Sequence, residues 1–286
     1  MLHDLLSSAW EARVRSFGHD ITFAYPARTA AVSLTGTECG LNCAHCGGHY
    51  LDNMISLEEA RAWVLQGRAK SLLISGGCSP VGVVPFGSHA QQLEELAKTC
   101  RLNLHVGLVS EEEAASAGKM AGAVSFDFVG DDETIREVYG LDKTVADYVR
   151  SYEALCRHAR VVPHICIGLR GGAISGERRA LGILKQLGAP ALVFLVLIPT
   201  PGTRFAGVEP PAPAAVAEIL AEARLDFPET PIQLGCMRPG GRYRRTLDLL
   251  AVRAGVNTIV NPAPQARRLA RYLGLVARRG EECCVL

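Results

Sequence analysis

The sequence has no charge excess, no membrane-length apolar run and no flexible joint. Lys and Arg total 30 against 29 Asp and Glu, a formal net charge of +1. No global field therefore draws the protein onto nucleic acid or an anionic membrane, and whatever it binds must be recognised locally. The longest apolar stretch, ALVFLVLIP at 191–199, falls well short of the roughly 20 residues that cross a bilayer. It reads as a buried strand. The opening MLHDLLSSAWEARVRSFGHD is punctuated by charge and has neither the apolar core nor the small-residue cleavage site of a secretory signal, so a cytoplasmic location is expected. No linker rich in Gly, Ser or Pro breaks the chain, and PPAPAAV at 210–216 runs directly into helical periodicity. One domain over 1–286 is expected, with a helical lead-in at 1–28 and a cysteine-bearing tail at 276–286.

What is present is alternation. Hydrophobic residues make up 48% of the chain and 29 glycines are spread through it, as suits a well-packed α/β protein with many tight turns. Eight segments have strand character: 29–34, 70–75, 103–109, 123–129, 161–169, 191–198, 231–235 and 257–261. Amphipathic helical segments such as 56–67 and 212–227 lie between them. Repeated βα units mean a parallel sheet. Eight of them predict a closed (β/α)8 barrel of the TIM type, with a partial, six-strand open barrel carrying extra edge strands as the alternative.

Ten cysteines in a reducing compartment argue for metal or redox work rather than a disulfide framework. Three of them, Cys39, Cys43 and Cys46 in TECGLNCAHCGGHY, follow the first strand at C-x3-C-x2-C spacing. In such barrels chemistry gathers in the loops after the strands. Thiolates are soft ligands that select zinc or iron–sulfur clusters. A structural zinc site has four protein ligands, so a zinc knuckle would need His45, His49 or a remote cysteine. On a four-iron cubane, three thiolates leave one iron open.

That motif resembles the hallmark of the radical SAM superfamily. The resemblance implies a 4Fe-4S cluster on Cys39, Cys43 and Cys46, and S-adenosylmethionine chelating the open iron. An electron from the cluster splits its sulfonium, and the resulting 5'-deoxyadenosyl radical abstracts hydrogen from substrate. His45 stands where the superfamily has a packed aromatic residue. Gly76 and Gly77 in LISGGC match a Gly-Gly pair that binds the amino group of the methionyl moiety. Cys78 follows where Glu is usual, which points to further metal chemistry. Asp127 is the first candidate for a ribose hydroxyl and Asp131 the second, with helix capping by Asp131 or Asp132 as the plainer reading. GLRGG at 168–172 lines the adenosine side or forms a simple turn.

Surplus thiols extend the pattern. Cys78, Cys236 and the adjacent Cys283 and Cys284 are expected to hold an auxiliary iron–sulfur cluster, the tail folding over the barrel mouth, while Cys100 and Cys156 read as core residues. Arg238 is a candidate for a cluster or anion ligand, or a structural ion pair. LIPTPGT (197–203), CAHCGGHYLDNM (43–54) and LGCMRPGG (234–241) resemble the biotin and lipoyl synthase group, nearest to a component of the two-protein lipoyl synthases. The absence of any cysteine before Cys39 fits that type. The resemblance implies sulfur insertion into an octanoyl chain held on a carrier lysine. Its expected partners are an octanoylated lipoyl-carrier protein, a second radical SAM component, and ferredoxin or flavodoxin as electron donor. Phe194, Val196 and Ile198 are candidates for an apolar channel. The competing readings are biotin synthase, a metal-cofactor maturase, and a non-catalytic zinc or electron-transfer protein.

Overall fold

The computed structural model describes residues 2–286. Ten strands form one all-parallel sheet: β1 (Asp20–Ala24), β2 (Thr29–Ser33), β3 (Ser71–Ser75), β4 (Arg101–Leu104), β5 (Ala123–Asp127), β6 (Val161–Ile167), β7 (Leu192–Val196), β8 (Ile232–Leu234), β9 (Thr258–Val260) and β10 (Val276–Gly280). Their order is β10-β1-β9-β8-β7-β6-β5-β4-β3-β2. The curled sheet is open, so of the two expected forms the chain adopts the partial barrel, with ten strands, and not the closed eight-strand one.

The two unexpected strands are β1 and β10. The lead-in is helical only over Leu2–Phe17; Gly18, at φ +58°, stops the helix and turns the chain into β1. β1 inserts between β9 and β10. β10 occupies the sheet edge and its side chains are mostly exposed. Nothing requires apolar alternation there, and Arg278 and Arg279 on an edge strand discourage pairing with another sheet. The segment 276–280 is therefore a strand, and only 281–286 form the tail.

Helices coat the outer face. The helix Leu2–Phe17 packs on Pro213–Asp226. At that seam Arg224 is fully buried without a carboxylate; its guanidinium donates to the carbonyls of Phe227, Thr230 and Gly255 and to Asn257 Oδ1. Those carbonyls satisfy its donors and stitch β8 and β9 to the outer shell.

The last residues close the end of the barrel at which the strands begin. Arg28 N–H donates to Glu281 O at 2.9 Å, Cys283 N–H to Thr29 Oγ1 at 2.8 Å, and Arg160 Nη1 to Val285 O at 2.6 Å. Val285 is 1% exposed and packs against Ala123, Val162, Ala191 and Val193, at or near the starts of β5, β6 and β7. The tail therefore spans the gap between β10 and β2 and forms a floor. The expectation that Cys283 and Cys284 fold over the mouth is corrected, because the mouth lies at the opposite strand ends. Val285→Ala should cost about 2 kcal/mol, read as a thermal midpoint several degrees lower; an unchanged midpoint would mean that the floor does not hold the sheet.

Candidate active site

The motif loop leaves β2 and is fixed by close contacts with the end of β3. Gly40 N–H donates to Cys78 O at 2.7 Å, and Gly77 N–H to Thr35 Oγ1 at 2.7 Å, while that hydroxyl donates to Glu38 O. A β-carbon on Gly77 would lie 1.9 Å from Glu38 O and 2.6 Å from Cys39 Cα. Only glycine allows this approach. On its other side the loop is held by the segment after β7. Phe205 N–H donates to Ala44 O at 3.0 Å, and Tyr50 Oη and Thr200 Oγ1 share a hydrogen bond of 2.8 Å. LIPTPGT thus acts as a clasp on the cysteine loop.

Cys39, Cys43, Cys46 and Cys78 line one cavity of about 180 Å3 together with Gly76 and Gly77. Burial, reinforced by the neighbouring thiols, pushes both Cys43 and Cys78 up to about 12, and burial raises Cys46. Thiols that oppose one another's ionisation in a shared hollow become thiolates together only if positive charge joins them. Among the described residues no three His, Cys, Asp or Glu side chains converge closely enough to form a metal site as placed; Cys39, Cys43 and Cys46 nevertheless share this hollow as soft donors, the chemistry that a thiophilic centre needs. Gly76 lines the cavity wall. The N–H of Gly77 is already engaged with Thr35, so this residue fixes the loop.

This hollow adjoins a larger cavity of about 460 Å3 inside the barrel, and His45, Cys46, Gly76, His105, Asp127 and Tyr139 border both. Its wall is largely apolar: Ala31, Leu73, Leu195, Ile198 and Met237 contribute, with Cys166 and Cys236 farther round. Phe194, expected on this wall, is fully buried in the outer core instead. Val196 and Ile198 do border the cavity as expected, with Leu195 and Leu197 beside them.

At the boundary lies a polar group that sequence reading missed in part. Asp127 Oδ2 is 3.2 Å from His105 Nε2, and the His105 and His164 rings stack at 6.2 Å. Burial would push the Asp127 carboxyl up, but His105 outweighs it and holds the group at about 2. Burial likewise works against charge on His105, yet Asp127 raises that imidazole above its ordinary range. His164, whose Nδ1 is 3.0 Å from Val162 O, is driven by burial down to about 4. Alternation along NLHVGLV would have put Asn103 and His105 on one face; only the partner across the sheet shows which face. Asp127 borders both cavities. Asp131 does not: it caps the next helix, accepting from Glu133 N and Thr134 N and from Ser175 Oγ. Its plainer reading is the observed one.

His45 lies edge-on to Tyr139 with ring centroids 5.6 Å apart, and its Nδ1 has no hydrogen-bond partner. Arg238 is fully buried in an ion pair with Asp248, Nε to Oδ1 2.9 Å, so it serves the framework. The glycine-rich segment after β6 is pinned by Glu177, which accepts from Gly168 N and Ser175 N at 2.7 Å each. Leu169, Arg170 and Gly176 from this region line the larger cavity.

The remaining thiols divide between two levels. Cys78 stands with the motif at the mouth. Cys283 and Cys284 lie at the floor, where a hydrogen bond between them draws Cys283 down and pushes Cys284 up. Asn103 Nδ2 donates to Cys283 Sγ at 3.5 Å. Cys236, after β8, feels the charge of Cys283 and reaches the cavity wall. The expected set of four is thus dispersed: Cys78 lies in the motif hollow, Cys236 on the interior cavity wall, and Cys283 and Cys284 at the floor. Cys100 packs against the core, whereas Cys156 is exposed.

No protein-family model and no curated protein matches the chain. Solved structures do. Methylornithine synthase (PylB) is 15% identical with a TM-score of 0.69, over 97% of this chain and 89% of that one. The FeFe-hydrogenase maturase HydG from Carboxydothermus hydrogenoformans is 17% identical with a TM-score of 0.72, over 96% of this chain and 72% of that one. Streptococcus suis SuiB bound to S-adenosylmethionine is 11% identical with a TM-score of 0.54, over 84% and 52%. At such identities the likeness is one of fold. The architecture is a partial α/β barrel, the fold these structures share, and no helix among the described residues is long and apolar enough to cross a membrane.

Two outcomes are expected. Gly77→Ala should displace the cysteine loop and leave less than about a quarter of the iron bound by the parent after anaerobic reconstitution, measured colorimetrically, with unchanged far-ultraviolet circular dichroism; full iron loading would remove the close-approach account. Because Asp127 raises His105, their pairing stabilises the fold below histidine's ordinary value of about 6.5, and that contribution is lost as pH rises through the elevated value. Thermal midpoints recorded from about pH 6 to pH 9 should fall more for the parent than for His105→Gln. Identical slopes would show that the pair is not coupled to folding.

Proposed function

We propose that the chain is a radical SAM enzyme that inserts sulfur into an octanoyl chain presented on a carrier lysine, acting as one component of a lipoyl synthase pair. One observation carries this reading: the cysteine loop opens onto an interior cavity with largely apolar walls, and the thiols of Cys166 and Cys236 stand on that cavity's wall. An aliphatic chain entering at the mouth would lie along Leu73, Leu195, Ile198 and Met237, between the two thiol groups. A site for a polar metabolite would set more hydrogen-bonding groups on those walls.

Bound by Cys39, Cys43 and Cys46, a 4Fe-4S cluster would supply the electron that splits S-adenosylmethionine and so furnish the radical that abstracts hydrogen. The protein's part is positional. Gly76 and the clasp after β7 shape the hollow, Asp127 offers an ionised carboxylate to a hydroxyl at the boundary, and the apolar walls keep water from the reacting carbon. Cys236, Cys283 and Cys284 are proposed to hold the auxiliary iron–sulfur cluster that donates sulfur, and the electron donor is a small ferredoxin or flavodoxin.

The test is mass spectrometry of an octanoyl-lysyl peptide incubated anaerobically with reconstituted protein, S-adenosylmethionine and reductant, with and without a second component. Replacement of hydrogen by sulfur is expected. Cys283→Ala/Cys284→Ala should keep reductive S-adenosylmethionine cleavage, lose the sulfur product, and drop from about eight irons per chain to about four. Undiminished product from that variant would remove the floor thiols from the scheme, and 5'-deoxyadenosine without any sulfurated peptide would favour another radical SAM reaction.

A further inference from the structure

The near-zero net charge conceals a separation along the chain. Residues 231–280 contain ten arginines and a single acidic residue, Asp248, giving this segment +9 while the other 236 residues carry −8. Asp248 is fully buried against Arg238, so it offers no negative charge to the surface. The segment runs from β8 to β10, and its two helices, Gly241–Arg253 and Pro264–Tyr272, pack on each other.

Topology places part of this charge at the mouth. In a parallel barrel, a helix that follows a strand begins at the end where the strand finishes, the face that carries the cysteine loop. Arg242 and Arg245 occupy the first turns of the helix after β8, and Arg267 and Arg268 the first turns of the helix after β9. All four are exposed. None makes an ion pair or side-chain hydrogen bond among the described residues. Arg244, between the first two, donates to Arg238 O at 2.9 Å and Cys236 O at 3.4 Å, tying this rim to the loop that lines the interior cavity. The rim after β5 has the opposite character. Asp131, Asp132, Glu133 and Glu137 stand there, and Arg170 is already held by Glu133 and Glu137.

We infer that the β8–β9 side of the mouth, marked by Arg242, Arg245, Arg267 and Arg268, is the docking surface for an acidic protein domain that delivers the acyl group. This rests on the proposed function, which requires the substrate to arrive on a protein. Four unpaired guanidiniums on one side of an entrance attract carboxylates, and the carboxylates of the opposite rim repel the same partner, so the two sides together orient the approach. A nucleic acid is disfavoured: the chain has a pI of about 7.6 and a net charge of +1, and its phosphate-repelling rim borders the same opening.

The test compares the full, reconstituted chain with the Arg242→Glu/Arg245→Glu/Arg267→Glu/Arg268→Glu variant by stopped-flow fluorescence. The probes are an acidic, octanoylated lipoyl-carrier domain, poly-L-glutamate and a short DNA duplex. Charge reversal should slow association with the carrier domain at least about tenfold at low ionic strength and flatten its salt dependence. Reductive cleavage of S-adenosylmethionine and turnover of an uncharged octanoyl-lysyl peptide should be unaffected. The fourfold Arg→Gln variant, which keeps the rim neutral, should fall between the two, and serves if the reversed chain folds poorly. Association with the domain as fast in the variants as in the parent overturns the inference, as does rim-dependent binding of the duplex that is tighter than that of poly-L-glutamate. If the parent converts the free peptide but ignores the carrier domain, the docking inference fails while the chemistry stands. If the peptide is not sulfurated, yet poly-L-glutamate binds the parent and not the reversed chain, the chemical reading fails and the acidic-partner surface stands.

Discussion

The site depends on one close approach: the backbone of Glu38 and Cys39 lies against Gly77, where a single additional carbon would collide with a carbonyl oxygen. That contact ties the loop after β2 to the end of β3, and the hydrogen bond from Gly40 to Cys78 O repeats the tie one step farther on. With the loop fixed, the clasp after β7 can reach it from across the mouth through Phe205 and Thr200. Three thiols are thereby set in one hollow before any ligand contributes. Relaxing the approach would require the loop to move as a unit, because both of its sides are anchored.

Two kinds of environment follow along the barrel axis. At the mouth Cys43 and Cys78 are crowded, and burial pushes both thiols up to about 12. At the floor, hydrogen bonds from Cys284 and Asn103 outweigh burial and draw the Cys283 thiol down to about 6. The His105–Asp127 pair lies between the levels. Asp127, held at about 2, brings a carboxylate to the boundary of a largely apolar cavity and gives direction to a hydroxyl-bearing ligand.

The local features were legible and the distant ones were not. Eight strands, from 29–34 to 257–261, announced themselves because buried parallel strands are rich in branched apolar residues on both faces. β10 gave no such sign, since VARRG lies exposed at a sheet edge, and β1 was hidden by the helix that runs almost to its start. Cys39, Cys43 and Cys46 declare themselves by spacing alone. The pairing of His105 with Asp127, the separation of Cys78 from the tail thiols, and the end of the barrel that the tail reaches all depend on contacts between segments far apart in sequence. No local pattern encodes those. Asp131 illustrates the intermediate case, for its position before a helix supported a cap as readily as a ligand, and the hydrogen bonds to Glu133 and Thr134 decide between them.

The placement of β1 bears on how the molecule is made. Strands β2 to β9 stand in the sheet in the order in which they are synthesised, so each can join its predecessor as it emerges. β1 is the exception: made first, it pairs only with β9 and β10, at the far end of the sequence. The amino-terminal segment must therefore wait, unpaired, while nearly the whole sheet assembles, and its insertion completes the edge in a late, non-local and hence slow step. A ribosome-bound intermediate would carry an ordered mouth and cysteine loop while its other edge was still open.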